Sequence, residues 1–129
     1  MHKIVIDTSA IIAVIVGESQ RERIIQLTEN KQLVAPHSLH WEIGNAFSAF
    51  FKRKRITLEQ AIEAIHLYQQ IPIEFVEPNL VDTLKIAAKF NIYAYDAYLL
   101  TTALTTKLPL LTLDKQLNEL AKQLNIEIF

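Results

Sequence analysis

Four acidic side chains in this 129-residue sequence stand where a carboxylate could do chemistry: Asp7, Glu42, Asp96 and Asp114. Asp7 ends a β-branched run at residues 3–6, and Asp114 closes a short apolar run at residues 110–112. Asp96 opens a helical pattern in an apolar stretch, and Glu42 shares the polar face of a long helical pattern with Ser38 and Asn45. Asp7, Asp96 and Asp114 would each also serve as a helix cap. The remaining aspartate, Asp82, is accounted for as a first-turn residue interacting favourably with a helix dipole. Carboxylates brought within a few ångströms repel, so one must protonate or a cation must neutralise them. Only Lys3 and Lys115 adjoin these segments in sequence. Oxygen donors with no cysteine beside them select a hard ion, Mg2+ or Mn2+, over zinc. One such ion, or a pair roughly 3.5 to 4 Å apart, can activate water and stabilise the charge that builds on a phosphodiester during in-line attack. The expected substrate is a nucleic acid.

The elements that must bring these residues together follow from short apolar runs and helical stripes. Residues 3–6, 33–36, 73–76, 110–112 and 126–129 read as strands. Between them lie helical patterns at residues 10–16, from Ser19, from Ser38, from a Thr57–Gln60 capping box, at residues 79–89, from Tyr95 or Asp96 to about residue 106, and around Leu117, Leu120, Ala121 and Leu124. Gly17 is expected to end the first helix, and Asn91 is an expected left-handed stop. Strands alternating with helices and lacking hairpin dipeptides imply right-handed crossovers and a mostly parallel sheet covered on both faces, a three-layer α/β/α domain. In such sheets ligands sit outside the carboxyl ends of the strands, where Asp7 and Asp114 are expected.

The totals bound the rest. With 13 Lys and Arg against 14 Asp and Glu, the net charge is -1. Nucleic acid would therefore be held by a local patch or a cation, and not by the whole surface. Half of the residues are hydrophobic and only 2 are Gly, which excludes a disordered chain and a turn-rich all-β fold. The length suits one domain over residues 1–129. The absence of cysteine removes disulfides, thiolate metal sites and cysteine nucleophiles. The longest apolar run, residues 10–16, is too short to span a membrane, Asp7 interrupts any signal-like segment, and a cytoplasmic location is expected.

Four segments resemble the acidic motifs of PIN-domain ribonucleases, in the family's order and across nearly the whole chain. They are Val5-Ile6-Asp7-Thr8-Ser9-Ala10, Glu42-Ile43-Gly44-Asn45-Ala46-Phe47, Tyr95-Asp96-Ala97-Tyr98-Leu99 and Leu111-Thr112-Leu113-Asp114. In length too the chain resembles the VapC-type toxins of toxin-antitoxin pairs. The resemblance implies a metal-dependent endoribonuclease, with Asp7, Glu42, Asp96 and Asp114 as direct or water-mediated ligands of Mg2+ or Mn2+, leaving a 5'-phosphate and a 3'-hydroxyl. It implies that Thr8, Ser9 and Thr112 are supporting hydroxyls and that Asn45 orients a carboxylate or a ligand water. It also implies two protein partners, a cognate antitoxin and a second copy of the chain in a homodimer.

Other signals have plainer explanations beside their functional ones. Lys52, Arg53, Lys54 and Arg55 form the densest basic run, read either as a solvated helix end favoured by the dipole or as an RNA-backbone or partner contact. His37 and His40 lie near Glu42 and are expected to be non-ligands. Trp41, Phe47, Phe50 and Phe51 crowd one helix in more than one stripe, so part of that surface is expected to meet another chain. Gly44, a poor helix former, is expected to mark close packing beside the site. The alternative to an enzyme is a non-catalytic Mg2+-binding regulatory or interaction module on the same scaffold. A receiver-like domain would want an adjacent acidic pair after its first strand, and here Asp7 stands alone.

Overall fold

The computed structural model describes residues 2–129. Its elements run β1 (Lys3–Ile6), α1 (Thr8–Val16), α2 (Arg21–Thr28), β2 (Gln32–Pro36), α3 (Leu39–Lys52), α4 (Leu58–Gln70), β3 (Ile73–Val76), α5 (Leu80–Phe90), α6 (Ala94–Thr106), β4 (Leu110–Leu111) and α7 (Lys115–Gln123). The four strands form one parallel sheet in the order β3-β2-β1-β4. Successive strand side chains point to opposite faces, and that alternation builds two cores. Ile4, Ile6, Leu33, Ala35 and Leu111 meet α1 to α4 on one side, with Ile11, Ile43 and Phe47 among the buried residues. Val5, Val34 and Leu110 meet α5 to α7 on the other, with Ile86, Leu100, Leu117 and Ala121. The fold is a three-layer α/β/α arrangement, as the strand and helix patterns predict.

Local chemistry sets most boundaries. The Thr57–Gln60 capping box forms in both directions, at 3.0 and 3.1 Å. Gly17 and Asn91 end α1 and α5 in the left-handed conformation. Asp7 caps α1, which consequently starts at Thr8, two residues before the apolar run begins. The expected fifth strand differs: residues 126–129 contribute a single bridge, Ile128 to Leu110, made by the Leu110 N–H donating to the Glu127 carbonyl and the Phe129 N–H to the Leu110 carbonyl, both at 2.9 Å. Gly44 also departs from expectation. It lies exposed in α3, and a Cβ added there would meet nothing within 4 Å, so it marks open space and not close packing. Among the described residues no helix is long and apolar enough to cross a membrane.

The strand order makes the site's location a matter of topology. From β1 the chain steps outward through β2 to β3, then returns to lay β4 on β1's other flank. The connections diverge above β1 and β4, which opens a crevice at their carboxyl ends. Asp7 and Asp114 follow those two strands.

Candidate active site

Asp7 leaves the sheet at the end of β1 and is buried, with 6% of its surface exposed. Its Oδ1 accepts from the Ser9 hydroxyl at 2.7 Å and from the Ala10 backbone N–H at 3.1 Å, and its Oδ2 accepts from the Thr112 hydroxyl. The Ser9 oxygen in turn accepts from the Leu113 N–H at 3.0 Å, and the Thr112 oxygen accepts from the Asp114 N–H at 3.0 Å. Two hydroxyls thus tie the loop after β4 to the start of α1, each with its proton directed at Asp7. Asp114 caps α7 through the Leu117 N–H at 3.1 Å. For Asp7 and Asp114, capping and clustering are served by one geometry.

Glu42 comes from the first turn of α3 and accepts from the Ser38 hydroxyl at 3.2 Å. Ser38 starts the helix without capping it, because its hydroxyl is committed to Glu42 one turn on. Asp96 stands in the first turn of α6. Asp7, Thr8, Glu42 and Asp96 line one cavity of about 20 Å³, closed by Ile6, Pro36, Leu39, Leu99 and Leu117. That is room for about one water-sized occupant.

The electrostatics agree with this convergence. Burial pushes the Asp7 carboxyl up, more than the Thr112, Ser9 and Ala10 donors pull it down, and Asp114 adds repulsion. Burial lifts Glu42 to about 7, against the Ser38 hydroxyl, with Asp7 and Asp96 pushing the same way as burial. Asp96 is raised by burial first and by Asp114 second. Thr8 lies close enough to Glu42 to lower its pKa, yet its buried hydroxyl completes no hydrogen bond of good geometry. An orphaned buried hydroxyl among repelling carboxylates is a donor set that suits a hard cation and its waters. The carboxylates are not drawn into a finished shell, however: among the described residues no three acidic or histidine side chains are grouped to hold an ion.

Other expected participants stand elsewhere. Asn45 is exposed one turn beyond Glu42, and its backbone carbonyl accepts from Ser48 at 2.8 Å. Lys3 pairs with Glu74 at 3.1 Å, and among the described residues no cation forms an ion pair with any of the four acids. His40 bonds the Tyr68 hydroxyl at 2.6 Å and His37 stacks on Phe75, so neither is a carboxylate partner. Lys52 closes α3, Arg53 and Lys54 turn the chain, and Arg55 lies over the Phe50 ring. Sequence reasoning missed Ser38 as a partner of Glu42, although the four-residue spacing on one helix was visible. It missed Asn118 too, whose side-chain amide donates to the Thr112 carbonyl at 3.3 Å.

The family profile described as PIN domain matches residues 4–123. The chain belongs to the PIN domain family. Solved structures share the PIN fold at low identity. PAE2754 from Pyrobaculum aerophilum is 22% identical with a TM-score of 0.67, over 92% of this chain and 86% of its own. VapBC2 from Rickettsia felis, bound to a DNA fragment from its promoter, is 12% identical with a TM-score of 0.68, over 98% and 96%. VapC20 from Mycobacterium tuberculosis, a toxin that cleaves the sarcin-ricin loop, is 10% identical with a TM-score of 0.63, over 90% and 93%. No curated protein sequence matches the chain significantly.

Proposed function

We propose that this PIN domain is a divalent-cation-dependent endoribonuclease that acts as the toxin of a toxin-antitoxin pair. The observation that carries the reading is the shared cavity of Asp7, Glu42 and Asp96, with Asp114 near enough to repel Asp7 and Asp96. The likeness to VapBC2 and VapC20 supports the toxin assignment. Asp7, Glu42, Asp96 and Asp114 would hold Mg2+, or Mn2+ in its place, directly or through water. When bound, such an ion activates water and neutralises charge at the phosphodiester.

The chain's own groups perform the remaining tasks. Ser9, Thr112 and the Ala10 N–H fix the Asp7 carboxylate as an acceptor with one lone pair of Oδ2 left over. Ser38 holds Glu42, and Thr8 supplies a further hydroxyl beside it. Asn45, exposed one turn beyond Glu42, would reach the site only through a ligand water. The apolar wall of Ile6, Leu39, Leu99 and Leu117 limits competing solvent. Attack by water on the phosphorus with cleavage of the P–O3' bond, the 3'-oxygen leaving and taking up a proton, gives a 5'-phosphate and a 3'-hydroxyl. Lys52, Arg53, Lys54 and Arg55 contribute a contact to the RNA backbone or to a partner. A cognate antitoxin covers the acidic site, a second copy completes a homodimer, and the protein works in the cytoplasm.

The purified chain should cut a structured RNA in Mg2+ and stop in EDTA. Asp7→Asn and Asp96→Asn should lose cutting while their circular dichroism stays native, and cutting at the wild-type rate would remove the site assignment. Calorimetric titration with Mg2+ separates the enzyme from an inert scaffold, which would bind none.

A further inference from the structure

We infer that the aromatic cleft beside the carboxylate cavity is a subsite for one unstacked nucleobase of the RNA strand, next to the phosphate to be cut; this rests on the ribonuclease reading above. The cleft has a volume of about 420 Å³ and is walled by Trp41, Tyr95, Tyr98, His37, Pro36 and Leu80. It adjoins the carboxylate cavity: Pro36 lines both, and Ser38, at the cleft's edge, donates to Glu42. The clefts beside Arg55 and Gly44 share no residue with that cavity.

Folding does not account for these rings. Trp41 is 65% exposed and Tyr95 is 44% exposed, within a wider set of surface apolar side chains that includes Tyr93, Leu80 and Val81. Each precedes a site carboxylate on its helix, Trp41 before Glu42 in α3 and Tyr95 before Asp96 in α6, so the rings line the cleft while the acids line the neighbouring cavity. The Tyr95 and Tyr98 rings sit 6.4 Å apart at 52°, tilted and not stacked on each other, and both line the cleft. His37 is held by its stack on Phe75, 5.5 Å away at 23°. The cleft contains no Lys or Arg, and Glu77 is its one carboxylate. Its chemistry therefore suits a flat neutral base and not a phosphate, whose charge falls at the cation end. Aromatic side chains hold single-stranded bases by stacking, with little sequence preference. The volume lies within the range of small-ligand sites, roughly 300 to 1,000 Å³.

Trp41 is the only tryptophan in the chain, so its fluorescence reports on the cleft directly. Short oligouridylate, added to the wild-type chain in Ca2+, should quench Trp41 saturably, and a ribose-phosphate chain of the same length without bases should not. Tyr98→Ala should weaken that quenching constant roughly tenfold or more. In Mg2+ turnover, Trp41→Ala should raise KM by a similar factor with kcat little changed, and Trp41→Phe should restore it; Trp41 is mostly exposed, so these variants fold. A chain that cuts RNA but shows no quenching, or equal quenching by the abasic chain, overturns the subsite. So does a Trp41 emission that follows protein concentration, with dimerisation lost and KM intact in Trp41→Ala, which assigns the cleft to a second copy. Base-dependent quenching in a chain that cuts no RNA would instead leave the subsite standing and remove the nuclease reading.

Discussion

Thr112 donates its hydroxyl proton to Asp7 Oδ2 while its oxygen accepts the Asp114 N–H at 3.0 Å, so one side chain fixes two acids that are far apart in sequence. Thr112→Val keeps the shape and removes both bonds, leaving buried acceptor and donor groups unmatched. Losing such a bond to a charged, buried group costs about 1 to 3 kcal/mol. Urea denaturation should show a lower midpoint with an unchanged slope.

Glu42 gives stability a pH dependence. Its carboxyl titrates at about 7 in the fold against an ordinary value of 4.5, so between those values the folded chain binds more protons than the unfolded one. Stability from this group is full below about 4.5 and is lost as pH rises through about 7. Burial and repulsion raise Asp7 and Asp96 too, which adds to the same trend. In EDTA, Glu42→Gln should flatten the fall in Tm between pH 5 and 8. In wild type, Mg2+ should raise Tm more at pH 8 than at pH 5, where protons compete for the carboxylates.

Ser38→Ala removes the hydroxyl that holds Glu42 Oε2. Partners of this kind alter metal affinity or activity by about 10- to 100-fold when removed. Mg2+-dependent cleavage should fall within that range while Tm in EDTA changes little; unchanged cleavage would make the hydrogen bond incidental.

Gly44→Ala should stabilise the chain. The residue is helical and exposed, with open space where the methyl would go, so Ala gains about 0.5 to 1 kcal/mol by losing less backbone entropy. Thermal unfolding checks the sign.

The basic turn after α3 is testable through salt. Replacing Lys52 and Arg53 by Gln should reduce the log-log salt slope of single-stranded RNA binding by about 0.7 for each phosphate that is no longer neutralised. An unchanged slope would leave these cations as a favourable helix end alone.

What could be read beforehand, and what could not, divides along physical lines. Asp7 and Asp114 were legible because each ends a short β-branched or apolar run that can only be a strand, and parallel strands put their carboxyl ends together. The Thr57–Gln60 box and the Asn91 stop were legible because their signals lie within four residues of chain. The fifth strand was not: residues 126–129 have strand composition, but only Ile128 pairs, with Leu110, and how far two distant segments run alongside each other is not set by composition. Gly44 was misread because a helical glycine has two opposite causes, crowding and open space, that only neighbours from other elements distinguish. The cleft of Trp41, Tyr95 and Tyr98 was invisible for the same reason, since its walls come from α3, α6 and the turn after β3.

The switch in strand order has a temporal side. Because β4 docks on β1 only after every other strand has been made, a ribosome building this chain holds Asp7, Glu42 and Asp96 well before Asp114 and the Thr112 clasp exist. The cavity of Asp7, Glu42 and Asp96 is closed in part by Leu117 of α7, so its wall is complete only once the residues after β4 have been added.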